Sequence, residues 1–460
     1  MIKKKLIIFL LLICLISITA FGYGCKRESP SNLSEETFST SPLVAKTSKD
    51  LSEYQKKFIK IRDFKIEGFP ILDGFRSYDN IALIGGGFEE IPKEHPNSPI
   101  EYSSMIVYDF KSDKILNVIN YNKKEGLISV FPFGINENWI VYEADDYDEF
   151  NPNFKFYAIN RKTNKTKMII ERKKGHDEFF TNGENIPKGS GWWIAPPKGL
   201  LKGDKFYIEI DLTQDKVEMS TGTLPVISDS IYEIDLNTGK IKKIVHFTNR
   251  CAEISTMSIN DHYLAFSLTG RDFKEMTTYS DIYLYSFKDG KIKKFTNNRR
   301  SETPVLTADD WIIYQVWKPS ELSLKPPNLR PPDKYDTDTG CFYNIIRPIN
   351  KEEPVFTVTV GGDKKKGYLY PSFCGISPSG RFILFQDPLR LLDRKTNTIT
   401  TLKGMPPASG FRLYQFPSDD TLLVIGDANV PRKQLSFKLQ LWQWLYIIDF
   451  NKLLEVIENK

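Results

Sequence analysis

A pattern of two apolar strands joined by a polar turn recurs along most of this chain, and no other feature restricts the fold as strongly. The clearest copies are Ile231 to Val245 (IYEIDLNTGKIKKIV) and Ile282 to Phe295 (IYLYSFKDGKIKKF). Apolar and polar residues alternate in both strands, as in a sheet with one buried face. The turns contain Asn, Asp or Gly, which adopt positive φ at low cost. The pattern therefore predicts antiparallel β-hairpins.

Fainter copies extend the repeat towards both ends of the chain. They are Ile106 to Val118, Tyr157 to Ile169, Ile345 to Val358, Leu391 to Leu402 and Tyr446 to Val456. A second unit, in which a tight polar turn leads into an apolar strand, precedes most of the hairpins. It occurs at Ile135 to Tyr142, Ile259 to Phe266, Leu306 to Tyr314, Ile376 to Phe385 and Phe416 to Val424. Two such hairpins in each repeat predict a meander of four antiparallel strands.

Equivalent hairpin positions lie about 57 residues apart, a spacing typical of β-propeller blades with long connections. These positions are Asp109, Asn160, Asp235, Ser286, Arg347, Asp393 and Asp449. An open sheet of so many short strands would leave edges that aggregate, whereas a ring of blades leaves only short ones. We therefore predict an all-β fold, a single β-propeller of four-stranded antiparallel blades at residues 51–460. Seven blades fit this span, and six or eight are the alternatives.

The closure of the ring is predicted from the two ends of this domain. The segment Phe58 to Ile66 (FIKIRDFKI) alternates apolar and charged residues, so we expect it to add an outer strand. The last repeat, Phe411 to Ile457, is predicted to be complete in itself. Packing of side chains between the first and last blades is the alternative mode of closure.

The best-formed repeats resemble those of TolB-like and WD40-like β-propeller proteins. Their motif is S-P-D-G-x-x-[IL]-x-[FY], followed by D-I-Y-x-x-D-x-x-T-G-K-x-x-x-L-T. Ile376 to Phe385 matches the first half with Ser379 in place of Asp, and Asp229 to Ile244 and Asp281 to Thr296 match the second half. The resemblance covers most of residues 68–460 and implies the propeller fold. It selects no function, because propellers include enzymes, binding proteins and scaffolds.

The first 25 residues form a predicted export signal. A basic start, Met1 to Lys5, precedes the apolar run Leu6 to Ile18, and small residues lead to Cys25. This resembles a bacterial lipoprotein signal, in which the cysteine after the cleavage site receives the lipid, so Cys25 is the predicted lipidation site. Gly24 fits that pattern, whereas Gly22 stands where the family usually has Leu. A plain secretory signal and an uncleaved anchor are the alternatives, since residues 6–24 are long enough to cross a bilayer.

Residues 26–50 are rich in Ser, Thr, Glu and Lys and have few large apolar side chains. Such a composition favours a flexible tether over a folded segment. The predicted organisation is a signal peptide at 1–24, the lipid-anchor cysteine and tether at 25–50, and the propeller at 51–460. The predicted location is the extracytoplasmic face of the cell membrane, to which the lipid anchors the chain.

Several function classes are excluded by composition and motifs. The net charge is +5, and it falls to +2 without the three lysines of the export signal, which argues against a nucleic-acid partner. The sequence has no G-x-S-x-G, H-E-x-x-H, P-loop or dinucleotide fingerprint. Gly85 to Gly87 is predicted to be a turn. A propeller peptidase would need a separate hydrolase domain, and the repeats leave no room for one.

A group of carboxylates is the first candidate ligand site. Glu143, Asp145, Asp146, Asp148 and Glu149 are predicted to crowd a loop, where such groups bind Ca²⁺ in other proteins. Their spacing matches no EF-hand, so we predict a solvated acidic loop and no metal or other cofactor.

Three tryptophans, Trp192, Trp193 and Trp317, are the second candidate, because aromatic platforms bind sugars and peptides. Trp192 and Trp193 are adjacent, so on a strand they would point to opposite faces and only one would be a platform.

Three hypotheses follow for the function. The favoured one is a non-catalytic binding or scaffold module at the cell envelope, whose partner is a protein, a peptide or a glycan. The second is a carbohydrate-active enzyme, a glycoside hydrolase or lyase, that uses carboxylates in the central funnel. The third is a structural subunit of an envelope complex without a ligand. No catalytic residue is assigned by the sequence.

Overall fold

The computed structural model describes residues 43–69, 71–90, 100–146, 153–172, 179–181, 184–186, 198–213, 226–247, 252–272, 277–298, 301–318, 341–350, 356–359, 373–386, 389–405, 412–427 and 443–458. They form a ring of seven antiparallel blades, so the predicted seven-bladed β-propeller is confirmed. The first strands of neighbouring blades contact one another and therefore line the centre of the ring. Among these residues no helix has the length and apolarity needed to cross a bilayer. The predicted signal and Cys25 lie outside them.

Two strands precede the first blade, β1 (Val44–Thr47) and β2 (Ile59–Arg62). Blade 1 consists of β3 (Ile71–Tyr78), β4 (Ile81–Glu90), β5 (Ile100–Asp109) and β6 (Lys114–Ile119). Blade 2 consists of β7 (Ser129–Ile135), β8 (Trp139–Asp145), β9 (Phe154–Asn160) and β10 (Lys165–Arg172), extended by β11 (Phe179–Thr181) and β12 (Glu184–Ile186). Blade 3 consists of β13 (Lys198–Lys202), β14 (Lys205–Thr213), β15 (Val226–Asp235) and β16 (Ile241–Phe247).

Blade 4 consists of β17 (Ala252–Ile259), β18 (Tyr263–Asp272), β19 (Thr277–Ser286) and β20 (Ile292–Lys294). Blade 5 consists of β21 (Ser301–Leu306), β22 (Trp311–Lys318), β23 (Cys341–Pro348) and β24 (Phe356–Thr359). Blade 6 consists of β25 (Phe373–Ile376), β26 (Phe382–Phe385), β27 (Arg390–Asp393) and β28 (Thr398–Thr401). Blade 7 consists of β29 (Arg412–Ser418), β30 (Thr421–Asp427), β31 (Gln443–Asp449) and, as its outer strand, β2.

The described helices are short. The two α-helices are α1 (Gln55–Phe58) and α2 (Phe450–Glu458). Three single 3₁₀ turns lie at Ser52–Tyr54, Lys65–Glu67 and Lys123–Glu125.

The ring closes through the N-terminal part of the domain. Strand β2 pairs antiparallel with β31, with Ile59 opposite Ile448, so the outer strand predicted within Phe58 to Ile66 is confirmed. Residues 43–62, which we call the closure segment, also reach blade 6, because β1 pairs parallel with β28. The side chain of Phe58 is 2% exposed and is buried with Leu453 of α2. The first and last parts of the domain therefore share one apolar core.

Asp113, in the outer turn of blade 1, ties the closure segment to that blade. Its carboxylate lies 2.8 Å from Lys60 Nζ and 3.3 Å from Arg62 Nε, and it accepts a 2.6 Å hydrogen bond from the Tyr108 hydroxyl. These contacts lower the pKa of Asp113, chiefly through Lys60 and then Tyr108. The junction between blades 7 and 1 is thus held by charge as well as by strand pairing.

Three predictions about the chain are wrong in detail. The last predicted hairpin, Tyr446 to Val456, is the strand β31 followed by the helix α2, so blade 7 is not complete without β2. The predicted tether, residues 26–50, contains β1, which means that pairing with blade 6 begins before residue 51. Gly85 to Gly87 lie inside β4 and not in a turn.

Apolar side chains fill the spaces between neighbouring blades. Alternate residues of a strand face opposite neighbours, as β14 illustrates: Phe206 and Ile208 contribute to the core shared with blade 2. Tyr207, between them, packs on Phe287 of blade 4 with 5.6 Å between the ring centres. This alternation is the physical origin of the repeat found in the sequence.

The two faces of the ring differ in their connections. Turns within each hairpin lie at one end of the blades, which we call the turn face; in blade 1 they are residues 79–80 and 110–113. The opposite ends of the strands form the connection face; in blade 1 it contains the end of β4, the start of β5, and residues 120–128, which lead to blade 2. The longest connection, residues 319–340, joins β22 to β23.

Polar residues of the turn face connect neighbouring blades. Trp139 Nε1 donates to Asp204 Oδ1 at 2.8 Å, between blades 2 and 3. Asn260 Nδ2 donates to Asp310 Oδ1 at 2.9 Å, and His262 Nδ1 lies 2.9 Å from the same oxygen, between blades 4 and 5. The polar turn residues of the sequence motif therefore hold adjacent blades together, and their recurrence has a structural cause.

Candidate binding site

Three aromatic side chains meet on the connection face of blade 1. Phe88 lies near the end of β4, Tyr102 near the start of β5, and Tyr121 just after β6. The ring centres of Phe88 and Tyr102 are 5.6 Å apart, and those of Tyr102 and Tyr121 are 5.3 Å apart. Phe88 is 41% exposed, although a large apolar side chain is usually buried in a blade. We call these three residues the aromatic cluster.

A lysine lies over the aromatic cluster. Lys123 Nζ is 3.9 Å from the ring centre of Tyr102 and 5.6 Å from that of Tyr121, within the range of cation–π attraction. The backbone around it forms one 3₁₀ turn. Asn122 caps this turn by accepting a 3.2 Å hydrogen bond from the backbone N–H of Lys124, and Gly126 ends it at φ 76°. The loop thus has a defined conformation that places the ammonium group beside the rings.

Gly87 allows the strands beneath the aromatic cluster to approach each other. A Cβ atom at this position would overlap the backbone carbonyl oxygen of Tyr102 on the paired strand. A larger residue would therefore force β4 and β5 apart where Phe88 and Tyr102 lie opposite each other. The glycine serves close strand pairing, not the turn predicted from the sequence.

Glu125 links the aromatic cluster to blade 2. Its carboxylate accepts a 2.9 Å hydrogen bond from Asn122 Nδ2 and forms an ion pair with Lys155 of β9. Burial is the largest single influence on Lys155 and lowers its pKa, but the hydrogen bond with Glu125 and the charges of Tyr157, Glu125 and Glu171 together raise the net pKa. Asn153 Nδ2 also donates to the backbone oxygen of Glu125 at 3.3 Å. The connection face of blades 1 and 2 is therefore a continuous polar surface around the rings.

The predicted acidic residues divide between this surface and the blade interior. Asp145 ends β8, and its backbone oxygen accepts a 2.8 Å hydrogen bond from the N–H of Ile128, in the same connection as Lys123. Asp146 accepts a 2.9 Å hydrogen bond from the N–H of Asn153. Glu143, predicted to lie in the loop, is instead within β8 and only 7% exposed.

The other predicted site residues are not placed by the structure. Asp148, Glu149, Trp192 and Trp193 lie outside the described residues, and Trp317 lies in β22 with its side chain outside them. Among the side chains that are described, no three His, Cys, Asp or Glu groups are positioned to hold a metal ion.

Sequence reasoning missed the aromatic cluster. Its members come from two strands and the connection after a third, and they are up to 33 positions apart, so each one alone looks like an ordinary aromatic of a blade. One signal was available, because Phe88, Tyr102 and Tyr121 all lie beside predicted connections at the same end of blade 1. Side chains at strand ends beside long connections are more often functional than those in the middle of a blade.

Two carboxylates of blade 3 are buried against blade 4. Glu209 is 1% exposed and lies 3.7 Å from Lys198 Nζ. Asp229 is fully buried and accepts a 2.5 Å hydrogen bond from the backbone N–H of Ile254. Lys198 Nζ in turn donates to the Ile254 oxygen at 2.7 Å. These groups join adjacent blades and are shielded from a ligand in solution.

Burial raises the pKa of Glu143 well above its ordinary value, and the nearby charge of Asp145 adds to the shift. A carboxyl group with a raised pKa in the folded chain does not change stability below its unfolded pKa, and it destabilises the fold as the pH rises above that value. We therefore expect Glu143→Gln to have little effect at pH 4 and to stabilise the protein by about 1–3 kcal/mol at pH 8, the cost of an unfavourably buried polar group.

Urea denaturation at both pH values measures this difference. Glu137→Gln, at an exposed position of the turn face, is the control and should have an equally small effect at pH 4 and pH 8. An effect of Glu143→Gln that does not change with pH would contradict the assignment of the raised pKa.

No protein-family model matches the sequence, and no curated protein matches it. Among solved structures, the chain is similar to the β-propeller domain of the trilobed protease from Pyrococcus furiosus, with a TM-score of 0.44 and 11% identity over 78% of this chain and 90% of that one. It is also similar to an oligogalacturonate lyase from Vibrio parahaemolyticus, with a TM-score of 0.49 and 12% identity over 89% of this chain and 98% of that one. A polysaccharide lyase gives a TM-score of 0.49 and 9% identity over 83% and 90%. These likenesses are of fold alone, and the chain is a seven-bladed β-propeller.

Proposed function

We propose that this protein is an exported, membrane-anchored module that binds an anionic glycan, without catalysis, through the connection face of blades 1 and 2. The aromatic cluster beneath Lys123 is the observation that carries this proposal. The membrane anchor is proposed from the export signal and Cys25. The rings of Phe88 and Tyr121 each lie within 5.6 Å of the Tyr102 ring, and Phe88 is 41% exposed, so the surface combines apolar rings with a cation.

The chemistry of this surface suits an acidic sugar polymer. Aromatic rings pack against the C–H groups of sugar rings, while the tyrosine hydroxyl groups remain in contact with water. The ammonium group of Lys123 would pair with a carboxylate or sulfate of the ligand, and such a pair is strongest when water is partly excluded. Asn120 is exposed beside Tyr121 and supplies an amide group for sugar hydroxyls, whereas the Asn122 amide already holds the turn and Glu125.

The buried carboxylates Glu143, Glu209 and Asp229 are not placed to hydrolyse a glycan. A glycosidase needs two carboxyl groups that reach the substrate within about 10 Å of each other. Glu143, Glu209 and Asp229 are all buried, and Asp229 is held by the backbone of the next blade. Each of these groups is enclosed within or between blades, and none is exposed on the surface that carries the aromatic cluster.

Loss of the Tyr102 ring should weaken glycan binding by about tenfold or more, because burying an aromatic side chain contributes about 1.5–3 kcal/mol. Lys123→Ala should weaken binding to acidic glycans and leave the weak binding of neutral ones unchanged. An array of acidic and neutral oligosaccharides identifies the ligand, and calorimetry on Tyr102→Ala and Lys123→Ala measures the loss.

Tyr78→Ala is the matched control for these variants. Tyr78 is also a surface tyrosine, 40% exposed, but it ends β3 at the turn face. The Tyr78→Ala variant should therefore bind the glycan as tightly as the unchanged protein does. An equal loss of glycan affinity in Tyr78→Ala would overturn the proposal. Binding of peptides but of no glycan by the unchanged protein would also overturn it.

A further inference from the structure

A groove of about 590 Å³ opens on the turn face where the ring closes. Its walls come from the closure segment, from the turns of blade 1, and from blade 7 with the α2 helix that follows it, three parts of the chain that meet only in the closed ring. Phe58, Ile59, Phe110 and Ile447 form an apolar floor. The groove lies on the face opposite the aromatic cluster, so its ligand would be separate from the proposed glycan.

Lysines dominate the charge of this groove. Five lysines and three aspartates line it, a net charge of +2: Lys56, Lys57, Lys60, Lys111, Lys452, Asp79, Asp420 and Asp449. Lys60 is already paired with Asp113, which lies outside the lining. Lys56 and Lys57 belong to α1 and Lys111 to the outer turn of blade 1, so positive charges face the groove from both sides of the closure.

Two of the aspartates already have partners. Asp449 lies 2.9 Å from Lys452 Nζ. Asp420 accepts hydrogen bonds from the hydroxyl groups of Ser418 at 2.5 Å and Thr421 at 3.1 Å, and these contacts lower its pKa, with the Ser418 bond as the largest cause. Asp420 is therefore an anion at neutral pH, and its carboxylate is hydrogen-bonded within its own turn. A ligand in the groove meets the lysines of α1 and blade 1 as well as these bound carboxylates.

From this arrangement we infer that the groove binds a phosphate-bearing ligand and that this ligand stabilises ring closure. Lysine side chains bind phosphate as flexible point charges, and several that converge can neutralise more than one phosphate. A ligand that binds only the closed ring must stabilise it, since the open ring separates Lys56 and Lys57 from Lys111. The phosphate source is either a soluble polyphosphate or the headgroup of an anionic phospholipid.

Thermal denaturation of the full chain in non-ionic detergent tests the soluble source. Sodium tripolyphosphate should raise the midpoint by several degrees, and the effect should decrease in 0.5 M NaCl because salt screens exposed charges. The triple variant Lys56→Ala, Lys57→Ala, Lys111→Ala should need at least tenfold more tripolyphosphate for the same shift. The matched control replaces three lysines of the outer turn and outer strand of blade 4, Lys288→Ala, Lys291→Ala and Lys293→Ala, and should respond like the unchanged chain.

Reconstitution of the full chain into vesicles tests the lipid source. Acylation of individual lysines is followed by mass spectrometry, in phosphatidylglycerol vesicles and in phosphatidylcholine vesicles. Slower acylation of Lys56, Lys57 and Lys111 with phosphatidylglycerol alone would identify the headgroup as the ligand, with Lys288 and Lys291 as internal controls. Stabilisation by tripolyphosphate without this protection would identify the soluble source.

Absence of both effects would overturn the inference, and so would an equal response of the groove triple variant and the blade 4 triple variant. Neither outcome would affect the proposed glycan site, because Tyr102 and Lys123 are unchanged in these variants and glycan binding is measured separately.

Discussion

Phe58→Ala should lower the free energy of unfolding by about 3–5 kcal/mol, the range for removing a buried aromatic side chain from a core. Phe58 is 2% exposed and packs in the cluster that holds the C-terminal helix, so its loss leaves a cavity between the two ends of the domain. Urea denaturation followed by tryptophan fluorescence measures the change.

Ile61→Ala is the control for this prediction. Ile61 lies in the same segment, three residues further on, and pairs with Tyr446, but its side chain is 50% exposed. Its truncation should cost less than about 1 kcal/mol, because most surface substitutions have small effects. Equal destabilisation by the two substitutions would show that pairing of β2, and not burial of Phe58, dominates the closure.

Gly87→Ala should destabilise the protein by about 3 kcal/mol or more. A methyl group there overlaps the backbone oxygen of Tyr102, and a backbone atom cannot move without breaking the hydrogen bonds between β4 and β5. Because Phe88 and Tyr102 lie opposite each other beside this position, glycan affinity should fall together with stability. The shift in the thermal midpoint and the glycan titration are both measured on the same variant.

Gly375→Ala separates this clash from the general effect of replacing a strand glycine. Gly375 is buried in β25, where a methyl group would meet Tyr414 Cβ at 3.5 Å and Phe416 at 3.7 Å, ordinary contact distances. This variant should be close to neutral. Comparable destabilisation of both variants would mean that conformational freedom, not the overlap at Gly87, explains the effect.

The hairpins were predictable because their signals are local. Asp113, Asn164 and Asn397 adopt positive φ in the turns, the conformation that the sequence pattern required there. The closing strand was also predictable, because alternation of apolar and charged residues survives in Ile59 to Arg62 even though the partner strand is at the other end of the chain.

The last blade shows where this kind of signal misleads. Tyr446 to Val456 begins as a strand, and analogy with the other repeats predicts that it continues as a hairpin. The residues that follow Asp449 contain apolar side chains at Phe450, Leu453 and Ile457, a spacing of three and four that is helical. Phe450 and Leu453 are buried in the core of the closed ring. The helical spacing of these apolar residues therefore predicts this segment better than the strand repeat does.

The candidate site was less predictable than the fold for a physical reason. A binding surface is assembled from side chains that share a face but not a sequence segment, as Phe88 and Tyr121 do. The sequence drew attention to the acidic stretch around Asp146, because carboxylates there are adjacent in the chain. Glu143 of that stretch is instead buried, because β8 is covered on both faces and its side chains from Trp139 to Ala144 are all inside.

Strand pairing between the two ends of the domain also sets the order of events during synthesis. Ribosomes release β2 first, but its partner β31 emerges only after almost 390 more residues. Until then Phe58 and Ile59 have no core to enter, and contacts this distant in sequence form slowly. A premature stop codon that removes residues 443–460 would therefore leave the start of the domain without its partner strand.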